Sequence, residues 1–213
     1  MRSVNLLFAL LSVSLCAADA TGSESYLLRV EKAMTACRAD VPAMQAPAEE
    51  AAARLSSGGK LWAAGQASIV SEICGRAGGM MMIHPLGGNT PAAGDVVLYA
   101  AESGVQLPES FRDSGAKVVV FGDCPAGPNY VVFSNHGSTN RVSPTLANAI
   151  PAWVFCGELV AALTRIDKMP VMFETIGAYG GYARMQQYKM GEIPFHDDKK
   201  VPAVPPGKVG NAF

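Results

Sequence analysis

Short apolar segments alternate with helical segments along this chain, and this alternation limits the folds that it can adopt. Runs of roughly four to eight residues that are apolar at nearly every position are typical of strands buried on both faces. Strands that alternate with helices form a parallel sheet that helices cover on both faces. We therefore predict a three-layer α/β/α domain. The predicted strands are 61–64, 80–84, 95–101, 117–121 and 129–133.

The segments between the predicted strands have the apolar periodicity of helices. Pro151 is expected to kink the last of them, because proline lacks the N–H that the helix needs. Residues 191–213 are predicted to form an irregular tail that lies along the surface or reaches a neighbouring subunit. The predicted helices are Ser23 or Ser25 to about Ala39, Ala48 to about Leu55, Ala67–Arg76, Leu107–Ser114 and Pro144–Arg165.

The first twenty residues have the pattern of a secretory signal peptide. Met1-Arg2 carries one positive charge, Leu6–Leu15 is apolar, and Ala18-Asp19-Ala20 fits the small-x-small cleavage pattern. The apolar run is too short for a stable transmembrane helix. We therefore expect residues 1–20 to be removed and the mature protein to be secreted or periplasmic, without a stable membrane span. Residues 21–190 are expected to form a single domain.

Charge and cysteine content exclude several classes of function. The formal net charge is −1 and charged residues make up 16% of the chain, with no basic cluster, which argues against nucleic-acid binding. Four cysteines follow the signal peptide without C-x-x-C spacing, so no zinc site is predicted, and no other metal or cofactor. Their wide spacing leaves the disulfide state open. These cysteines are Cys37, Cys74, Cys124 and Cys156.

The segment from Gly58 to Arg76 predicts a site for an anion. It indicates a short strand, a tight turn at Gly65 and a helix whose first turn carries Ser68 and Ser71. A helix N-terminus presents free backbone N–H groups, which suit a phosphate. Glu72 lies about one turn farther along, and a carboxylate beside such a site is suited to moving the protons of a sugar phosphate.

Two stretches of the chain are similar to a known domain family. They are Gly58–Gly65 followed by Ser71–Arg76, and Gly94–Gly104 followed by Phe111–Phe121. Their order resembles that of the sugar isomerase (SIS) domain, especially of the phosphoheptose isomerase type. The resemblance covers roughly residues 28–165. It implies a flavodoxin-like, Rossmann-like doubly wound sheet, a homodimer or homotetramer, and aldose–ketose isomerisation of a sugar or sugar phosphate.

The resemblance also implies roles for residues. Glu72 matches the family's catalytic glutamate, and the two loops match its ligand-binding loops. Both loops have fewer serines than the family pattern, and the charge of Glu102 disfavours a phosphate by Coulomb repulsion. A sugar phosphate and an unphosphorylated sugar derivative both stay open as ligands. The predicted ligand-binding residues in these loops are Gly65, Gln66, Ser68, Ser71, Glu102, Ser103 and Gly104.

Three further residues are candidates because of their positions. Ligands of open α/β sheets bind at the carboxyl ends of the strands, so His136, just after a strand, is predicted as a second acid/base and Arg141 as a ligand for an anionic group. Glu158, in an apolar helix, is predicted either as a catalytic acid/base or as a buried charge satisfied by partners. Structural alternatives stay open for His136, as a loop hydrogen-bonding group, and for Glu72, which can pair with Arg76.

Two functions remain open from the sequence. The chain is either an exported isomerase of a carbohydrate derivative or a non-catalytic sugar-binding module of the same fold. The loops that are poor in serine favour the module, and Glu72 favours the isomerase. For both functions we expect the bends after Ala64 and after Ala101 to lie together and to direct their backbone N–H groups at one carbohydrate pocket.

Overall fold

The computed structural model describes residues 22–102, 105–125, 127, 129–177, 180–196 and 200–212, without the side chains of 138 and 139. The predicted signal peptide, residues 1–20, lies outside the described residues, as do the predicted ligand-binding residues Ser103 and Gly104.

A five-stranded parallel sheet forms the centre of the fold. Its strands are β1 (Leu61–Gly65), β2 (Ile83–Pro85), β3 (Val96–Ala100), β4 (Lys117–Phe121) and β5 (Tyr130–Phe133). Their order across the sheet is β2-β1-β3-β4-β5, and each neighbouring pair runs parallel. The prediction of an α/β domain with a parallel sheet is confirmed.

Helices lie on both sides of this sheet. They are α1 (Gly22–Ser56), α2 (Ala67–Ile73), α3 (Glu109–Asp113), α4 (Gly137–Asn140), α5 (Pro144–Arg165) and α6 (Gly181–Lys189), with a 3₁₀ turn at Gly210–Ala212. The larger apolar cluster joins α1, α2 and α5 to one face of the sheet. A smaller cluster on the other face contains Val97 and Tyr99 of β3 and Phe111 of α3. Every residue of β3 is buried, as the continuous apolar run predicts.

The N-terminal helix differs from the sequence prediction. Two helices, ending near Ala39 and beginning at Ala48, are replaced by one continuous helix, α1, which contains Pro42 and Pro47. Each proline removes one backbone hydrogen bond. The apolar stripe continues past both of them, however, and packs against α5, and this burial outweighs the local preference for a break. The buried residues of the stripe are Ala33, Cys37, Val41, Met44, Ala48, Ala51, Ala52 and Leu55.

Other boundaries were predicted with varying accuracy. Strand β4 and helix α5 have the predicted bounds, and α5 continues through Pro151. The predicted strand 80–84 has the wrong bounds, because β2 is Ile83–Pro85. Met80 instead forms an isolated bridge with Met172. An apolar run indicates burial, and here burial is met by a turn packed in the core rather than by a strand.

The C-terminal tail packs back onto the domain instead of lying wholly on the surface. The backbone N–H groups of Gly207 and Gly210 donate to the carboxylate of Glu158 on α5, over 2.8 and 2.7 Å. The N–H of Val204 donates to Oγ1 of Thr164, also on α5. A Cβ on Gly210 would lie 2.8 Å from Val41 of α1, so this position requires glycine. The tail is therefore held by the two long helices.

Helix α5 is also long and apolar enough to cross a membrane, by length and composition alone. In this fold, 67% of its most apolar 18-residue window is buried within the protein, as is typical of a core helix.

Candidate functional site

The carboxyl ends of the strands meet at one edge of the sheet, and the strand order creates a crevice there. β2 follows β1 in the chain and lies on one side of it, whereas β3 lies on the other side. The connections from β1 and β3 therefore leave in opposite directions. In open α/β sheets, this reversal is where ligands bind. The bend after β1 begins at Gly65, and the bend after β3 begins at Ala101.

The bends after β1 and β3 are in direct contact. Gly65 is in register with Ala100, and the N–H of Gln66 donates to the carbonyl of Ala100 over 2.9 Å. Gly65 has a φ of 91°, and a Cβ there would lie 2.1 Å from the Ala100 carbonyl oxygen. Only glycine allows this approach. The two bends are thus adjacent, but the N–H groups of Gln66 and Ala101 donate to the carbonyls of Ala100 and Phe121 rather than into a common pocket. Ser103 and Gly104, which would complete the second bend, lie outside the described residues.

A network of side-chain amides fills the space between the bends. Asn148 of α5 is only 2% exposed. Its Nδ2 donates to Oε1 of Gln66 and to the carbonyl of Ala101, each over 2.9 Å, and its Oδ1 accepts from Nδ2 of Asn135 over 2.7 Å. Nε2 of Gln66 donates to Oγ1 of Thr145 over 2.8 Å. The space between the bends is therefore filled by polar groups rather than by hydrocarbon.

The side chains of this network come from three separate parts of the fold at the sheet edge. Gln66 follows β1, Asn135 follows β5, and Thr145 and Asn148 lie in the first turns of α5. Ser143 caps this helix by accepting from the N–H of Leu146. Since amides both donate and accept, each bond in the network can be exchanged for a bond to a ligand that does the same.

The predicted hydroxyl and charged ligands lie at the rim of this edge. Ser68 and Ser71 are exposed on α2, which has seven residues and no side-chain cap at Gln66. Glu102 is exposed directly after Ala101. Arg141 is also exposed and ends α4 in a left-handed conformation, with a φ of 54°.

Glu72 forms an ion pair with Arg76, four residues farther along the chain. Its side chain is 26% exposed, and that of Arg76 is 64% exposed. This is the pairing that the structural alternative predicts. The catalytic interpretation of Glu72 stays a prediction, and it would require this pair to open.

Glu158 lies in the core and holds the tail. It is fully buried, and its two carboxylate oxygens accept the N–H groups of Gly210 and Gly207. A buried charge that is satisfied by partners was one of the two interpretations left open by the sequence, and these contacts are of that kind. Catalysis by Glu158 stays a prediction that nothing in this environment supports.

His136 is paired with a carboxylate that the sequence did not indicate. Its Nε2 lies 2.8 Å from Oδ2 of Asp40 on α1, and its backbone is left-handed, with a φ of 51°. The side chains of His136 and Asp40 are 25% and 31% exposed. Asn135, the preceding residue, belongs to the amide network, so the histidine lies beside the crevice.

The structure brings together only part of the predicted site. Gln66 and the bends after β1 and β3 meet, and His136 adjoins them through Asn135. Within the part of the chain that is described, no hydrogen bond or ion pair joins any two of Glu72, His136 and Glu158. The three predicted acid/base residues therefore do not form one cluster through direct contacts.

Sequence reasoning missed Asp40, Asn135, Thr145 and Asn148. The signal for Asn148 was present, because an amide inside an apolar helix needs buried partners. Asp40 gave no signal, since the predicted first helix ended at Ala39. Asn135 and Thr145 lie in polar surroundings, where amides and hydroxyls are common.

The four cysteines of the described chain are free thiols. Burial, followed by the negative charge of Asp40, raises the pKa of Cys37 to about 12. Burial raises the pKa of Cys74 to about 11, and burial followed by Cys74 raises that of Cys156 to about 12. These thiols stay protonated and inert at neutral pH. In the described residues, no group of three or more His, Cys, Asp or Glu is arranged to hold a metal ion.

Comparison with known proteins gives no family for this chain. No protein-family model matches it, and no curated protein is similar to it.

Proposed function

We propose that the crevice between β1 and β3 binds a carbohydrate derivative. The observation that carries this proposal is the amide network of the buried Asn148 and the partly buried Gln66 and Asn135 at the reversal of strand order. Sugar hydroxyls both donate and accept hydrogen bonds, as these amides do, so a sugar can replace the bonds among the amides without leaving a polar group unpaired.

The charge at this edge favours an unphosphorylated sugar. Glu102 is exposed directly beside the bend after β3. Its carboxylate would repel a phosphate, at a cost of about 1–4 kcal/mol for a charge pair near a protein surface. Helix α2, which was predicted to cradle an anion, has only seven residues, and its short dipole weakens the case for phosphate.

The family expectation supports the same location. The strand order 2-1-3-4-5 is the order of flavodoxin-like folds, which bind ligands between the first and third strands. On this basis we propose a flavodoxin-like, SIS-type domain, exported by its N-terminal segment and assembled as a homodimer or homotetramer. The resemblance in sequence motifs supports the domain type and the oligomer, and the signal-peptide pattern of residues 1–20 supports export.

Titration calorimetry with a panel of aldoses, ketoses, sugar acids and their phosphate esters tests the binding proposal. Replacing Gln66 by Leu removes an amide at similar volume, and we expect about tenfold weaker binding of the preferred sugar. Gln187→Leu, at an exposed position of α6, is the matched control and should bind normally. Equal affinities in the two variants, or no binding of any sugar by the parent protein, would contradict the proposal.

A second function, aldose–ketose isomerisation, is favoured by the pair of His136 and Asp40. When Asp40 accepts the Nε2–H of the neutral ring, Nδ1 is left as a base. That base would take the proton from the carbon beside the sugar carbonyl and return it to the carbonyl carbon. The hydroxyl proton on the neighbouring carbon would move to the carbonyl oxygen, so that the net change is isomerisation.

Exchange of solvent deuterium into the sugar separates the isomerase from the binding module. We expect His136→Gln to abolish exchange while sugar affinity changes less than about threefold, and His84→Gln to leave both unchanged. Glu72→Gln tests the role implied by the family resemblance in the same assay. If the parent protein binds a sugar but catalyses no exchange of deuterium into it, the protein is a non-catalytic sugar-binding module and not an isomerase.

A further inference from the structure

A second cavity lies beyond the edge strand β2, apart from the amide network. It has a volume of about 570 Å³, is partly open to solvent, and is lined by β2, the C-terminal end of α2, helix α6 and the segments around Phe173 and Phe195. This size lies within the range of pockets that hold small organic ligands. None of its lining residues belongs to the network around Asn148.

The wall of this cavity is mainly apolar and contains two phenylalanines, a tyrosine and two methionines. Such a wall gains free energy by removing an apolar or aromatic ligand body from water. Methionine side chains adapt to the shape of what they contact. The apolar lining residues are Met81, Ile83, Phe173, Met185, Ile193 and Phe195.

The polar groups of the lining give it a single positive charge. Lys189 supplies an ammonium group, and Tyr188 and His84 supply neutral hydrogen-bonding groups. Burial, followed by the positive charge of Lys60, lowers the pKa of His84, so its ring is neutral at neutral pH. Among the described lining residues there is no Asp or Glu. The positive charge of Lys189 therefore attracts a ligand with one negative charge.

We propose that the cavity between β2 and α6 is a binding site for a small amphipathic monoanion, with an aromatic or branched apolar body and one carboxylate or sulfonate group. The body lies among the methionines and phenylalanines, and the anionic group reaches Lys189. This site is independent of the carbohydrate crevice, and neither depends on ligand binding at the other.

Two fluorescent probes with the same apolar body test the site. Anilinonaphthalene sulfonate carries one negative charge, and N-phenylnaphthylamine carries none. Lys189→Gln should weaken binding of the sulfonate by about tenfold and leave the neutral probe within about twofold. Lys208→Gln, at an exposed position of the tail, is the matched control and should change neither affinity.

A second variant locates the probes in this cavity. Met185→Trp fills part of the space, and both probes should bind at least about tenfold more weakly to it. Ile193→Trp fills the cavity from another position of the lining and replaces Met185→Trp if near-ultraviolet circular dichroism shows that the first variant is not folded. The proposal is overturned if folded cavity-filling variants bind both probes normally, or if Lys189→Gln binds the sulfonate as tightly as the parent does.

Discussion

The two edges of the sheet each bury a polar side chain, but they do so in different ways. At the amino edge, Asp95 is 6% exposed and accepts from the N–H groups of Lys60 and Ala92 and from Nε1 of Trp62, over 2.8 to 2.9 Å. At the carboxyl edge, Asn148 is 2% exposed but exchanges hydrogen bonds with other amides.

This difference indicates that the amino edge stabilises the fold, whereas the carboxyl edge is suited to binding a ligand. A carboxylate only accepts, and two of the donors around Asp95 are fixed backbone groups. Its bonds therefore hold β1 to the start of β3 and fix the loop before β3. The amides of Gln66 and Asn135 belong to side chains that can turn toward a ligand. Glu158, with two backbone donors from the tail, is of the same kind as Asp95.

The largest loss of stability is expected from Asp95→Ala. The substitution leaves three donors without their acceptor, and we expect the free energy of unfolding to fall by about 3 kcal/mol. Urea denaturation measures the change, with Asp113→Ala, at an exposed position of α3, as the control. A loss no larger than that of the control would mean that the amino edge does not depend on its carboxylate.

A smaller loss is expected from Glu158→Gln. Glutamine keeps one acceptor oxygen, so one of the two tail N–H groups loses its partner, and we expect a loss of about 2 kcal/mol. The tail should also exchange its amide hydrogens faster, most clearly at Gly207 and Gly210, which hydrogen-exchange mass spectrometry can follow. Unchanged exchange in the tail would contradict the role assigned to Glu158, and Glu109→Gln on exposed α3 is the control.

Acid should weaken the amino edge selectively. Burial alone would raise the pKa of Asp95, but hydrogen bonds from Ala92, Lys60 and Trp62 outweigh it, and the pKa is lowered below the ordinary value of 3.8. The stabilisation is therefore complete above that value and is lost as the pH falls through the folded-state pKa. The difference in unfolding free energy between the parent and Asp95→Asn should shrink as the pH is lowered below about 4. A constant difference would contradict this account.

The smallest effect on stability is expected at the carboxyl edge. Gln66 is only partly buried, and Gln66→Leu should lower the free energy of unfolding by about 0.5–1 kcal/mol, less than either carboxylate substitution. The same variant is expected to lose most of its sugar affinity. If it were as unstable as Asp95→Ala, the two edges would have the same structural role, and the contrast between them would fail.

The sequence predicted the layers of this fold better than its site. Burial leaves a direct pattern of apolar residues, so the bounds of β4 and α5 were predicted correctly. The prolines of α1 led to a wrong prediction of two helices. The continuous helix is stabilised by packing against α5, which is distant in sequence and so leaves no local signal. The turn at Gly65 was predicted correctly, because glycine favours such a turn. The structure adds the reason for glycine there: the backbone approaches Ala100 too closely for any other residue.

The site itself depends on contacts across the chain. Asn148 bonds to residues 82 and 13 positions away, and Asp40 bonds to His136 over a separation of 96. No spacing rule connects such residues, because the fold brings them together only after the sheet has formed. Glu72 shows the converse: its pairing with Arg76 is local, and the sequence allowed it to be predicted.

The most direct test is a two-dimensional nuclear magnetic resonance titration of the side-chain amides with the sugar that binds most tightly. We predict that the NH₂ resonances of Gln66, Asn135 and Asn148 shift and saturate together at one dissociation constant, while that of Gln187 does not move. If these three resonances stayed in place while the sugar bound, the carboxyl edge between β1 and β3 would not be the carbohydrate site.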